Sequence, residues 1–285
     1  MVHKVGLVLE GGGMRGMFTM GIVDLMCEQG IKVDGIVGVS AGACFGCNYK
    51  SHQPGRALRY NAALMSDPRY MSLRNWWRTG NLFDATFCYH TVPTEIDVFD
   101  IETFEKDPTA FHLVCTDIQT GEPVYRQLTH IDYEALEWIR ATSSMPLVSK
   151  PIPLDGKLLL DGGMVDSIPL QYAQQLGYDR NIVILTQPRG FRKKPSRLVP
   201  LFRLFMRKYP KVAEIMARRH NMYNAQLDYL DKEEQAGNVL LIFPDEPLHI
   251  RRTEKKPAEL RRVYLTGRTQ GEAYLEKIKT FLGTK

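Results

Sequence analysis

The sequence contains no apolar stretch of the roughly 20 residues that a membrane-spanning helix needs. No leader is expected at its start: Met1 to Lys4 run straight into the apolar Val5–Leu9, which reads as a first strand. The cytoplasm is therefore the expected location, with any membrane association peripheral. Cysteine is sparse. The five cysteines (Cys27, Cys44, Cys47, Cys88 and Cys115) are odd in number, which speaks against a disulfide framework. Cys44 and Cys47 form a lone C-x-x-C with no second Cys/His pair at zinc-finger spacing. They read as small apolar residues on one face of a buried helix. Internal repeats and low-complexity segments are absent. Acidic residues are nearly missing from one region: between Arg189 and Arg219 eleven Lys or Arg face one acid, Glu214, a net of +10 within an overall +5. The rest of the chain is thus net acidic, and the basic character belongs to one segment.

What is present suffices for a folded α/β enzyme. The chain has 285 residues, 44% of them hydrophobic, enough for one large domain with a helical extension. Val5–Leu9 and Gly35–Val39 read as strands, separated by a helix over Met14–Gln29 and followed by one from about Ala41 to Tyr49. This alternation predicts a parallel sheet with crossover helices. Phe111–Thr116 and Pro123–Leu128 read as a strand pair, Asp132–Arg140 as a helix, and Lys157–Leu160 as a strand stopped by Asp161-Gly162-Gly163. A helix over Ile168–Leu176, strands at Asn181–Leu185 and Val239–Phe243, and an amphipathic region over Leu260–Leu282, broken near Gly267 and Gly271, complete the expectation.

Three motifs carry chemistry. Gly38-Val39-Ser40-Ala41-Gly42 follows a strand and opens a helix, the context that gives G-x-S-x-G its meaning. The glycines permit a sharp turn that lifts the Ser40 hydroxyl clear of the backbone and aims the Ala41 N–H above it. The plain alternative is a serine that caps a helix. Gly11-Gly12-Gly13-Met14-Arg15-Gly16 exposes backbone N–H groups able to cradle an anion. It matches G-x-G-x-x-G, the dinucleotide fingerprint, but the acid expected at the end of the second strand is misplaced: Asp34 precedes that strand. An oxyanion loop fits better, because parallel neighbouring strands bring both loops to one sheet edge. Asp161-Gly162-Gly163 sets a carboxylate at a strand end, where a turn aspartate is the plain alternative.

In this order the motifs resemble the patatin-like phospholipase family. Ala141-Thr142-Ser143-Ser144-Met145-Pro146, Asp166 and Pro169 fit residues that flank the family's D-G-G, and the resemblance covers roughly Val5 to Leu185. The region around Tyr264 to Arg268 resembles the helical extension of a bacterial subgroup. The resemblance implies a three-layer α/β/α fold with a mostly parallel sheet and a helical C-terminal extension. It divides the chain into a catalytic domain over 1–245, with a basic insertion at about 189–220, and an extension over 246–285. It implies hydrolysis of phospholipid or lysophospholipid esters by a Ser40–Asp161 dyad, with the Gly12, Gly13 and Ala41 amides as oxyanion hole. Gly11, Gly16, Gly38, Gly42, Gly162 and Gly163 would shape the loops, and Arg15 would order the glycine loop. Neither metal nor organic cofactor is implied. A triad with His220 or His249 is the minority alternative, since both read as surface histidines. A nucleotide-binding module and a catalytically silent lipid-binding protein are the rivals from other classes.

The basic segment interleaves Lys193, Lys194, Arg197, Arg203, Arg207 and Lys208 with Leu198, Leu201, Phe202, Leu204 and Phe205. Such stretches bind anionic membrane surfaces, and a solvated basic face is the equal alternative. No motif for nucleic acid accompanies the charge. Trp76-Trp77-Arg78, near Phe83, reads as a lid edge or as buried core.

Overall fold

The computed structural model describes residues 3–283. Its strands are β1 (Val5–Leu9), β2 (Gly35–Val39), β3 (Ala110–Asp117), β4 (Pro123–Gln127), β5 (Ile152–Leu154), β6 (Lys157–Asp161), β7 (Arg180–Ile184) and β8 (Val239–Ile242). They form one sheet whose hydrogen-bonded neighbours run β5-β6-β3-β2-β1-β7-β8, with β4 also paired to β3. The β3-β2-β1-β7-β8 pairings are parallel, whereas β4 and β6 run antiparallel to β3 and β5 antiparallel to β6. The central strands β1 and β2 are buried along their whole length, as expected for a parallel sheet covered on both faces.

The helices are α1 (Gly16–Glu28), α2 (Ala41–Lys50), α3 (Arg56–Leu64), α4 (Leu73–Thr79), α5 (Ile101–Lys106), α6 (Tyr133–Thr142), α7 (Leu170–Gln175), α8 (Val199–Phe205), α9 (Pro210–Gln235) and α10 (Pro257–Leu282). Two apolar layers sandwich the sheet. One joins Leu7, Leu9, Ile36 and Leu113 to Phe18, Ile22, Phe104 and Trp138. The other joins Val8, Val37, Val39 and Val183 to Ile168, Tyr223 and Leu230. Alternate residues of β1 and β2 thus face opposite layers, the period-two geometry of a strand.

The expected elements are present, with one correction. The C-terminal region does not break at its glycines: α10 is a continuous helix from Pro257 to Leu282. It packs along α1, and the glycines are the contact. A Cβ on Gly267 would meet the Phe18 carbonyl oxygen at 2.0 Å, and one on Gly21 the Tyr264 oxygen at 2.2 Å. Close backbone approach offsets the intrinsic helix penalty of glycine, about 1 kcal/mol. Tyr264 also donates from its hydroxyl to the buried Asp24 carboxylate at 2.8 Å, tying α10 to α1. No helix among the described residues is long and apolar enough to cross a membrane.

Candidate active site

The site forms where three loops meet at the carboxyl-terminal edge of the parallel strands. Ser40 follows β2 and precedes α2. Its backbone lies at φ 55°, ψ −126°, a conformation that non-glycine residues rarely adopt. Space dictates the flanking residues: a Cβ on Gly42 would meet the Leu9 carbonyl oxygen at 2.4 Å, and one on Gly38 the Ala43 backbone at 2.6 Å. The Ser40 hydroxyl does not cap α2. It donates to Asp161 Oδ2 at 2.6 Å. Ser40 N–H donates to Thr142 Oγ1 at 3.0 Å, and Thr142 Oγ1 donates onward to the Val114 carbonyl at 2.5 Å.

Strand register explains why Asp161 arrives there. β2 pairs with β3 over Ala110 to Val114, and β6 pairs with the next residues, Cys115 to Asp117. β4 overlaps both ranges, so it occupies the other edge of β3. β2 and the antiparallel β6 therefore share one edge and meet end to end: Val39 lies opposite Val114 and Asp161 opposite Cys115. Asp161 Oδ1 accepts from Gly163 N–H at 2.8 Å, and its backbone carbonyl accepts from Thr116 Oγ1 at 2.8 Å. Burial pushes the Asp161 carboxyl above its ordinary range, opposed by the Ser40 and Gly163 hydrogen bonds and by the Arg219 and Arg252 charges. Gly162 packs against the Val114 backbone.

The glycine loop leaves β1, which neighbours β2 in parallel, and returns to Ser40. Gly11 lies against the Ser40 side chain, and Gly16 opens α1 against Phe45 and Ala41. Gly13 has φ 57°, and a Cβ there would meet the Arg252 carbonyl oxygen at 2.6 Å. That same carbonyl accepts from Met14 N–H at 3.1 Å and so fixes the loop. The N–H groups of Gly12, Gly13 and Ala41 make no hydrogen bond among the described residues, Ala41 standing in the first turn of α2, where amides lack intrahelical partners. The Arg15 side chain makes no hydrogen bond among the described residues, and its buried Nε has no partner there. Asp34 accepts from Val5 N–H at 2.7 Å, at the opposite end of β1 from the glycine loop, which is no place for a ribose ligand.

Other residues at the site were not legible in the sequence. Glu10, buried at the end of β1, accepts from Thr186 N–H at 2.6 Å and from the Tyr223 hydroxyl at 2.7 Å. Arg219 donates to the Gly163 carbonyl at 2.5 Å and to Ser167 Oγ at 3.2 Å, bracing the turn after Asp161. His220 is a correction to the expected surface position: it lines the cleft, although it bonds neither Ser40 nor Asp161. His249 is exposed. Cys44 and Cys47 point their thiols at the carbonyls of Ile139 and Cys44, and burial pushes them up to about 12 and about 11.

Two cavities meet at Gly13, Ser40, Met145 and Arg252. The outer cleft, about 410 Å³, has a basic side formed by Arg15, Lys193, Arg219 and Arg252 and an apolar side formed by Leu147, Met164, Phe202 and Met216. The inner cavity, about 140 Å³, is walled by Phe45, Tyr60, Tyr70, Phe83, Tyr89 and Val92.

A family model, patatin-like phospholipase, matches residues 7–173, a span that contains all three motifs. The chain belongs to the patatin-like phospholipase family. A second model, a domain of unknown function designated DUF6363, matches residues 209–283, across α9 and α10. Similar curated proteins include an uncharacterized protein, YjjU, of Escherichia coli, 27% identical over 99% of this chain and 80% of that protein. Lysophospholipase nte1 of Aspergillus oryzae is 25% identical over 98% of this chain, but the chain spans only 18% of that protein's length. Among solved structures, VipD from Legionella pneumophila aligns over 97% of this chain and 67% of its own, at TM-score 0.49 and 12% identity.

Proposed function

We propose that this patatin-like protein hydrolyses carboxyl esters of phospholipids or lysophospholipids, with Ser40 as nucleophile and Asp161 as base. The hydrogen bond from Ser40 Oγ to Asp161 Oδ2, 2.6 Å long, carries the reading. A serine hydroxyl is a weak nucleophile until a neighbour takes its proton. Burial makes Asp161 a stronger base than a carboxylate in water.

In the proposed reaction Ser40 Oγ attacks the ester carbonyl carbon while its proton passes to Asp161 Oδ2. The carbonyl oxygen gains the negative charge, and the free amides of Gly12, Gly13 and Ala41 are the donors for it. Removing one such donor slows comparable enzymes about 100- to 1000-fold. Collapse breaks the bond to the alcohol oxygen, which takes the proton from Asp161 and leaves. Water then attacks acyl-Ser40, its proton going to Asp161, and Ser40 departs as the hydroxyl with the free fatty acid released. No step requires a metal or organic cofactor. Ser40 lies between an apolar cavity and a cleft with one basic side, an arrangement that suits an amphiphilic ester. A dinucleotide lacks both an acyl chain and the acid it would need.

The basic segment serves the same reading as a peripheral dock. On α8, Leu201, Leu204 and Phe205 are exposed while Phe202 packs inward beside the cleft, and Arg203 on the helix and Arg207 and Lys208 just after it make no ion pair among the described residues. We read 1–245 as the catalytic domain and 246–285 as its helical extension.

The test is covalent labelling by a serine-reactive phosphonate, read by intact mass and peptide mapping. One adduct on Ser40, absent from Ser40→Ala, is expected. An adduct mapping elsewhere, or one that persists in Ser40→Ala, would remove Ser40 from the role.

A further inference from the structure

The outer cleft carries more positive charge than the serine and aspartate need. Arg15, Lys193, Lys194, Arg219 and Arg252 line it, against two carboxylates, Glu10 and Asp161. Both carboxylates are committed: Glu10 to Thr186 and Tyr223, Asp161 to Ser40 and Gly163. Among the described residues none of the five cations lies within ion-pair distance of a carboxylate. Four of them crowd one another electrostatically: Arg252 disfavours the charge on Arg15, on Lys193 and on Arg219. Burial, with those neighbours, pushes the Lys193 ammonium down to about 7. Two buried polar atoms on the same cleft, Arg15 Nε and His220 Nδ1, have no hydrogen-bond partner among the described residues, where nearly all such atoms in folded proteins are satisfied.

Arg15, Lys193 and Arg219 are part-buried, and Arg252 and Lys194 exposed. Arg219 is hydrogen-bonded to Gly163 and Ser167, and Lys193 lies over the Tyr223 ring at 4.3 Å. Yet like charges gathered on one cleft without a counter-carboxylate are stabilised by an anion with several acceptor oxygens. Arginine matches a phosphate in planar geometry, through paired N–H donors. A phosphate monoester carries about −1.5 to −2 charge at neutral pH, comparable to the uncompensated charge of the cleft. A phosphocholine would bring a quaternary ammonium that needs aromatic faces or free carboxylates. Among the described lining residues of the cleft there is no Tyr, no Trp and no uncommitted carboxylate, and the one Phe, Phe202, stands on the apolar side.

We propose that Arg15, Lys193, Arg219 and Arg252 form a phosphate subsite, and that the preferred substrate is an acyl ester of glycerol phosphate whose phosphate bears no ammonium group. The proposal rests on the reading of Ser40 as the nucleophile and supplies its substrate class. The ester carbon sits at Ser40, the phosphate occupies the basic side of the cleft, and the acyl chain lies on apolar wall. Lys193 and Arg252 are specificity-determining residues in this arrangement.

Short-chain substrates keep the test free of membrane effects. Hexanoyl esters of glycerol phosphate, glycerophosphocholine and glycerol would be compared as monomers, with wild type and the double variant Lys193→Gln/Arg252→Gln. Wild type is expected to prefer the phosphomonoester over the neutral ester by about tenfold or more in kcat/KM, as charge-assisted hydrogen bonds allow. The double variant is expected to lose that preference, read as the ratio of kcat/KM on the two esters at one pH, because the loss of the Arg252 charge beside Asp161 slows all three esters alike. Equal kcat/KM on the three esters in wild type, or a preference that survives in the double variant, overturns the phosphate subsite and leaves the hydrolase reading intact. If no ester is turned over, calorimetry of Ser40→Ala with the hexanoyl phosphomonoester decides. Binding that weakens in the Ser40→Ala/Lys193→Gln/Arg252→Gln variant supports the subsite even as the hydrolase reading fails, and no binding overturns it.

Discussion

At the scale of single residues, the chemistry turns on one carboxyl group whose proton affinity is set from several directions. Burial raises Asp161, while Ser40, Gly163, Arg219 and Arg252 pull it back. A base acts in its ionised form, so kcat/KM on a neutral ester should rise with pH through a midpoint above the ordinary carboxylate value of about 4. Arg252→Gln removes a cation that favours the ionised form, and should move that limb to still higher pH. A pH–rate profile of both proteins checks the direction. A limb that ignores Arg252→Gln and vanishes in His220→Gln would transfer the role of base to His220. The three motifs were legible because each is local: a few consecutive residues fix a turn, and the turn fixes an amide or a side chain. Tyr223, Arg219 and Arg252 were not, since each reaches the site from a distant part of the chain, and Glu10, although it adjoins the glycine loop, takes its role from the remote Thr186 and Tyr223.

At the scale of elements, the contact of α10 with α1 is the clearest case of packing overriding propensity. Read alone, Gly267 and Gly271 weaken a helix, and a break there was the natural expectation. The sequence does not reveal that Gly267 lies against the Phe18 carbonyl. Gly267→Ala should therefore lower stability by about 1–3 kcal/mol, the usual penalty of overpacking, despite the better propensity of alanine. Denaturant unfolding measures it, and a stabilised variant would contradict the packing. The meeting of β2 and β6 end to end along one edge of β3 is a second feature hidden from sequence. The strands themselves could be read, but their register comes from long-range pairing.

At the scale of the whole molecule, exposed apolar side chains gather beside the mouth of the cleft. Phe205 is 68% exposed on α8, and Trp77 is 86% exposed on α4. Both helices flank Leu147, which lines the cleft: Trp76 Nε1–H donates to the Leu147 carbonyl at 2.8 Å, and Leu147 packs in one cluster with Phe202 and Met206. Trp77 is thus not core. Arg74, Arg78, Arg203 and Arg207 are also exposed on these helices or next to them. An anionic bilayer attracts such residues by about 1 kcal/mol each, while aromatic and aliphatic groups enter the interface. Co-sedimentation should favour anionic over neutral vesicles, weaken with salt, and fall in Trp77→Ser/Phe205→Ser. Equal binding to both vesicle types would leave α8 as a solvated basic face.

Ester hydrolysis at this site needs both Ser40 and Asp161, and the decisive measurement is turnover of a short-chain chromogenic ester by wild type, Ser40→Ala and Asp161→Asn. The prediction is measurable turnover by wild type and a loss of about 1000-fold or more in each variant, with secondary structure unchanged, because nucleophile and base act as a unit. Turnover by Asp161→Asn at the wild-type rate would remove Asp161 from the role of base.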